Sequence, residues 1–148
     1  WYLARCRLSR VGLEALARAY AGYIKANLGI RKKVLVLDLD NTLWGGIVGE
    51  DGPEGIQLGT EGVGLAYREF QNEIMSLYRQ GIVLAINSKN NPDDAMEVLE
   101  RHPYMVLRPK HFGSMQINWQ DKATNLLELA GELSAVSVEP DKFLVTLE

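Results

Sequence analysis

Residues 34–46 read VLVLDLDNTLWGG, and they constrain the chain more than any other stretch. Four apolar residues run without interruption, the pattern of a strand buried on both faces of a parallel sheet. Asp38 and Asp40 follow at once. In an extended chain, residues two apart project to the same side, so these carboxylates crowd their charges. Such a pair costs free energy unless a cation or a proton compensates it. The stretch therefore predicts a buried strand over 33–39 that delivers two acids to one place, together with a cation to meet them.

The rest of the 148 residues supports a single α/β body behind a basic leader. Apolar residues Val11, Leu13, Leu16, Tyr20, Ile24 and Leu28 recur mostly at three- or four-residue spacing, predicting a helix over 10–28 with Ser9 as its N-cap and Gly29 as its stop. Residues 44–64 hold eight glycines and read as a flap or hairpin over the strand end rather than a helix. A helix over 65–79 ends at Gly81, IVLAIN at 82–87 is a second buried strand, and Asn91-Pro92 opens a helix to about Glu100. MVLR at 105–108 reads as a short strand, QINW at 116–119 as extended, and Asp121 opens a helix to about Leu133. FLVTL reads as a strand, and AVSV as a short one before it. Strand alternating with helix predicts a Rossmannoid parallel sheet with helices on both faces, a small flap and no large cap domain.

Charge is distributed unevenly. Residues 1–33 carry eight of the sixteen Lys/Arg but only one acid, Glu14, of the nineteen Asp/Glu. Residues 1–32 are therefore read as a basic helical segment and 33–148 as the catalytic domain. The Trp1 start and the abrupt basic segment suggest a chain cut from a longer one. A single cysteine, Cys6, excludes an internal disulfide framework and fits a reducing, cytoplasmic setting. No apolar run approaches a membrane span, and neither a membrane nor a nucleic-acid partner is expected.

Ligands in open α/β sheets bind beyond the carboxyl ends of the strands. Asp38 and Asp40 lie at one such end, Asn87-Ser88-Lys89 at the next, and Lys122 in the first turn of the helix after Asp121. Two carboxylates, a hydroxyl and an ammonium suit Mg²⁺ shared with a phosphate. One carboxylate can then attack phosphorus while the other handles the leaving-group proton, with Ser88 and Lys122 holding the equatorial oxygens.

VLVLDLDNTLW resembles the DxDxT motif of the haloacid dehalogenase superfamily of phosphotransferases. WGGIVGEDGPEGIQLG, AYREFQNEI, LAINSKNNPDDAMEVLERHP and INWQDKATNLLELAGEL resemble the FkbH-like family, over about residues 2–133. That resemblance implies glyceryl transfer from 1,3-bisphosphoglycerate to the phosphopantetheine thiol of an acyl carrier protein in polyketide assembly. It implies Asp38 as nucleophile and metal ligand, and Asp40 as general acid/base that also lends a backbone carbonyl to the metal. Thr42 supports the motif turn, Ser88 binds phosphate and Lys122 neutralises it. Trp44 and the glycines after it match the flap; Trp44, Asn87, Asn90, Asn91, His111 and Trp119 are substrate-pocket candidates. The chain departs from the family pattern twice. After LAGEL the family shows a strand ending in two adjacent aspartates, where this chain has SAVSVEPDKF, with Glu139 and Asp141 as the acids at hand. Many relatives carry Cys before the motif serine, where this chain has Asn87. Two alternatives stay open: a Mg²⁺-dependent phosphatase of small molecules, and an inactive docking domain for a carrier protein.

Overall fold

The computed structural model describes residues 9–27, 33–134 and 143–145. The chain forms two compact units, Trp1–Arg31 and Lys32–Glu148. In the first, helix α1 spans Arg10–Asn27. The Ser9 hydroxyl accepts the Gly12 N–H at 3.2 Å, satisfying one of the donors that a helix start leaves open. The expected stop at Gly29 lies outside the described residues.

The second unit is built on a parallel sheet of β1 (Val34–Leu37), β2 (Val83–Ser88), β3 (Phe112–Ile117) and β4 (Phe143–Val145) in the order β3-β2-β1-β4. β1 has a partner on each edge, with Leu37 opposite Ile86 on one side and Val36 opposite Val145 on the other. Its side chains divide alternately between two apolar layers. Leu35 and Leu37 pack with Ile74 and Met75 of α3 (Gly62–Arg79) and with Ala95, Val98 and Leu99 of α4 (Pro92–Arg101). Val34 and Val36 pack with Ala85 and with Leu129 and Leu133 of α5 (Lys122–Ser134). Helices thus cover both faces, the condition that an uninterrupted apolar strand imposes. Each such side chain removed from water contributes roughly 1.5–3 kcal/mol. No helix among the described residues is long and apolar enough to cross a membrane.

The glycine-rich stretch forms a flap at the carboxyl end of β1. Gly45 and Gln57 exchange backbone hydrogen bonds of 3.1 and 2.7 Å, and between them runs a single helical turn, α2 (Val48–Asp51). Leu43, Trp44, Val48, Ile56 and Leu58 are buried in the α3/α4 layer. Gly46 has φ +94°, in the left-handed region where an added Cβ is strained.

Two sequence expectations are corrected. MVLR at 105–108 joins no strand, and the third strand begins instead at Phe112. The Val106 and Leu107 N–H groups donate to one side-chain oxygen, Gln71 Oε1, at 2.9 and 3.2 Å. A glutamine takes the place of a neighbouring strand. QINW accordingly closes β3 at Ile117, and Trp119 lies in the bend beyond it. AVSV, at 135–138, lies outside the described residues.

Arg108 caps the end of α4, donating to the carbonyls of Leu99 (3.1 Å), Glu100 (2.7 Å) and His102 (3.1 Å), where a cation also complements the helix dipole. Burial pushes the His102 imidazole below its ordinary 6.5; Glu54 opposes that shift and Arg108 adds to it. His111 shifts the same way through burial and the cations Lys110, Arg108 and Arg79. Folded pKa values below the unfolded ones mean that the unfolded chain binds more protons. Stability from these two residues is therefore present above the ordinary value and lost as pH falls through the lowered ones. We expect the urea midpoint to be lower at about pH 5 than at about pH 7.5. His102→Gln should reduce that difference; an undiminished difference would assign it elsewhere.

Candidate active site

Asp38, the residue after β1, is buried, with 5% of its surface exposed. Its Oδ1 accepts the Leu39 N–H at 2.8 Å and its Oδ2 accepts the Lys122 ammonium at 2.5 Å. The two residues are 84 apart in sequence. Lys122 is the first residue of α5, where the helix dipole disfavours a cation; the pair with Asp38 offsets that cost. Asp121 starts the helix by accepting the Ala123 and Thr124 N–H groups at 3.1 and 2.9 Å, and it also takes the Thr124 hydroxyl. Those bonds, led by the Thr124 hydroxyl, hold its carboxyl below the usual range.

The Asp40 carboxylate is committed to three N–H donors. Its Oδ1 accepts the Trp44 indole N–H at 2.8 Å and the Val48 backbone N–H at 3.1 Å, and its Oδ2 accepts Asn90 Nδ2 at 2.9 Å. The same Asn90 nitrogen lies 3.4 Å from Ser88 Oγ, so one amide links the acid after β1 to the hydroxyl that ends β2. The turn between Asp40 and the flap is local chemistry. Asn41 takes φ +54°, a conformation asparagine tolerates, and its Oδ1 accepts the Gly46 N–H at 3.0 Å. The Thr42 and Leu43 N–H groups both bond to Leu39 O.

The remaining sequence candidates separate. Trp44 is fully buried and acts on Asp40 through its indole nitrogen. Asn87 is buried and turned onto α5, donating to the Lys122 carbonyl at 2.9 Å. Asn91 caps α4, accepting the Asp93 N–H at 3.3 Å. Trp119 lies just beyond the carboxyl end of β3, 74% exposed. His111 is a correction. It closes the 3-10 turn Pro109–His111 immediately before β3, at the amino end of the sheet and away from the acids. There its Nδ1 accepts the Arg108 N–H at 2.9 Å and its ring meets Tyr78 edge-on at 5.3 Å. Glu139 and Asp141 lie outside the described residues.

Two supports went unread in the sequence. The Val48 N–H belongs to a one-turn helix inside a glycine-rich flap and has no sequence signal. Gln71 has one: it falls on the apolar stripe Tyr67, Ile74 and Met75 of α3, where a polar side chain needs a buried partner. It is fully buried, and its Nε2 donates to Leu43 O at 2.7 Å.

The donors present fit a hard divalent cation. Among the described residues no group of three or more His, Cys, Asp or Glu side chains is placed to hold a metal. Mg²⁺ asks for less, one or two carboxylates, with water and substrate phosphate completing its sphere. Asp38 and the backbone carbonyl of Asp40 are the groups at this strand end that would hold it, which leaves the one Asp40 lone pair without an N–H donor, on Oδ2, for proton transfer.

No family model matches the sequence, and no curated protein matches it. A solved structure does: the N-terminal part of the protein BF1531 from Bacteroides fragilis, which contains a phosphatase domain and is complexed with Mg. The two are 41% identical with a TM-score of 0.76, over 82% of this chain and 32% of that one. The chain thus spans about a third of the solved protein. At that identity and overlap, the α/β unit described above has the fold of a haloacid dehalogenase-like phosphatase domain.

Proposed function

We propose that the chain is a Mg²⁺-dependent phosphoryl-transfer domain that works through an aspartyl nucleophile. The observation that carries this reading is the arrangement at the end of β1: Asp38 held on the Lys122 ammonium, and Asp40 two residues on, held by three N–H donors. Asp38 forms the new bond to phosphorus as the bond to the leaving oxygen breaks, and Asp40 protonates that oxygen. Water then cleaves the aspartyl-phosphate, with Asp40 receiving its proton. Lys122 and the Ser88 hydroxyl orient the phosphoryl oxygens, and Thr42 keeps the motif turn. Asp38 and the Asp40 backbone carbonyl would hold Mg²⁺, which would supply charge neutralisation of the phosphoryl group. The Mg complex of the 41% identical phosphatase-domain protein supports this assignment.

Within that chemistry, the finer reading is glyceryl transfer from 1,3-bisphosphoglycerate to the phosphopantetheine thiol of an acyl carrier protein, in a cytoplasmic polyketide pathway. It rests on the FkbH-like segments around the site. The basic segment 1–32 suits an acidic carrier. Asn87 turned onto α5 offers no thiol, so no acyl-enzyme thioester is assigned to that position.

The test is intact-protein mass spectrometry of a holo carrier protein incubated with the domain, Mg²⁺ and 1,3-bisphosphoglycerate. A glyceryl increment on the carrier supports transfer. Phosphate release without the increment selects the phosphatase. Neither product, with no heat of Mg²⁺ binding to a folded sample, selects the docking domain.

A further inference from the structure

We propose that Asn87 is a positioning residue that sets the Lys122 ammonium on Asp38 by holding the main chain of the same lysine. Lys122 is fastened at both ends. Its carbonyl accepts Asn87 Nδ2 at 2.9 Å, and its ammonium meets Asp38 Oδ2 at 2.5 Å. The anchors come from adjacent strands. Asn87 follows Ile86 in β2, Asp38 follows Leu37 in β1, and Ile86 and Leu37 are register partners.

A lysine side chain has four rotatable carbons and samples a wide volume when its backbone is loose. Fixing the first turn of α5 against β2 confines that volume to the neighbourhood of the carboxylate. The orientation of the amide supports the assignment. A carbonyl can be met only by the NH₂ of Asn87, and the price is that Asn87 Oδ1 is buried with no hydrogen-bond partner among the described residues. An apolar side chain would fill the same space without burying an unpaired acceptor. What the amide adds is the donor to Lys122. The same bond commits the Asn87 amide nitrogen to the main chain of α5.

The inference rests on the phosphoryl-transfer reading for its kinetic consequence, so the test has one arm that needs no turnover. Asn87→Ala removes the donor, and Asn87→Leu removes it while filling the space, should the alanine variant fail to fold. In the first arm, lysines are acetylated under limiting reagent and Lys122 modification is read by peptide mass spectrometry. Exposed Lys110, at the far end of the sheet, is the internal reference. Lys122 modification is expected to rise severalfold in the folded variant while Lys110 stays constant; an unchanged ratio overturns the proposal. In the second arm, Mg²⁺-dependent phosphate release from p-nitrophenyl phosphate is measured in a double-mutant cycle. Asn87→Ala should lower kcat/KM about tenfold beside Lys122, and less than about twofold in the Lys122→Ala background. An equal loss in both backgrounds means that Asn87 does not act through Lys122, and overturns the proposal. A wild-type protein that releases no phosphate ends the phosphatase reading, and the labelling arm then decides Asn87 alone.

Discussion

Asp38→Asn is expected to give a folded protein whose Mg²⁺-dependent phosphate release is at least about a thousandfold slower. An amide oxygen is a poor nucleophile toward phosphorus, and it brings no charge to Mg²⁺ or to the Lys122 ammonium. The fold has little reason to fail. Asparagine keeps the oxygen that accepts the Leu39 N–H, and the side chain of Lys122, with 29% of its surface exposed, can turn to water when its partner is neutral. Circular dichroism and a urea midpoint close to wild type should accompany the loss. Phosphate release within about tenfold of wild type would remove Asp38 as the nucleophile.

The largest effect on stability should come from Gln71→Leu. The glutamine satisfies three backbone groups from one side chain: Leu43 O, Val106 N and Leu107 N. Leucine has similar bulk and leaves all three without a partner in a buried place. At about 1–3 kcal/mol for each orphaned group, offset in part by the apolar gain, a net loss of about 3–5 kcal/mol follows. That is a large share of the 5–15 kcal/mol typical of whole domains. A urea titration reads it as a fall in midpoint at nearly constant slope. A loss under about 1 kcal/mol would mean that water replaces the amide at little cost. Leu43 sits in the turn between Asp40 and the flap, so the variant should also lose activity under conditions where it is still folded.

The parts of this molecule that show in its sequence are those whose physics is local. The apolar runs of β1 and β2, the Ser9 and Asn91 caps and the Asp121 start are each decided by neighbours within a few residues. The place of Asp38 and Asp40 beyond β1 is local too, whereas the ammonium that meets Asp38 comes from Lys122, far along the chain. What misled was composition without a partner. MVLR has the residues of a strand, but the donors at its centre, Val106 and Leu107, are claimed by Gln71, a glutamine earlier in the chain. His111 stands in a familiar segment, yet a strand of six residues separates it from the end of the sheet where the acids lie. The three-donor grip on Asp40 was hidden for the same reason, since Asn90 is 50 residues away and the Val48 N–H carries no side-chain signature.

The strand order has a consequence for how the molecule is made. β1 is among the first elements of its unit to leave the ribosome, but its edge partner β4 is the last described segment to follow. Pairings over so many residues pay their loop-closure entropy before any contact rewards it, and they assemble slowly. Until α5 arrives, Asp38 has no ammonium beside it. Recovery of catalysis during refolding should therefore lag behind recovery of helical signal, so that turnover reports the docking of α5 beside β1.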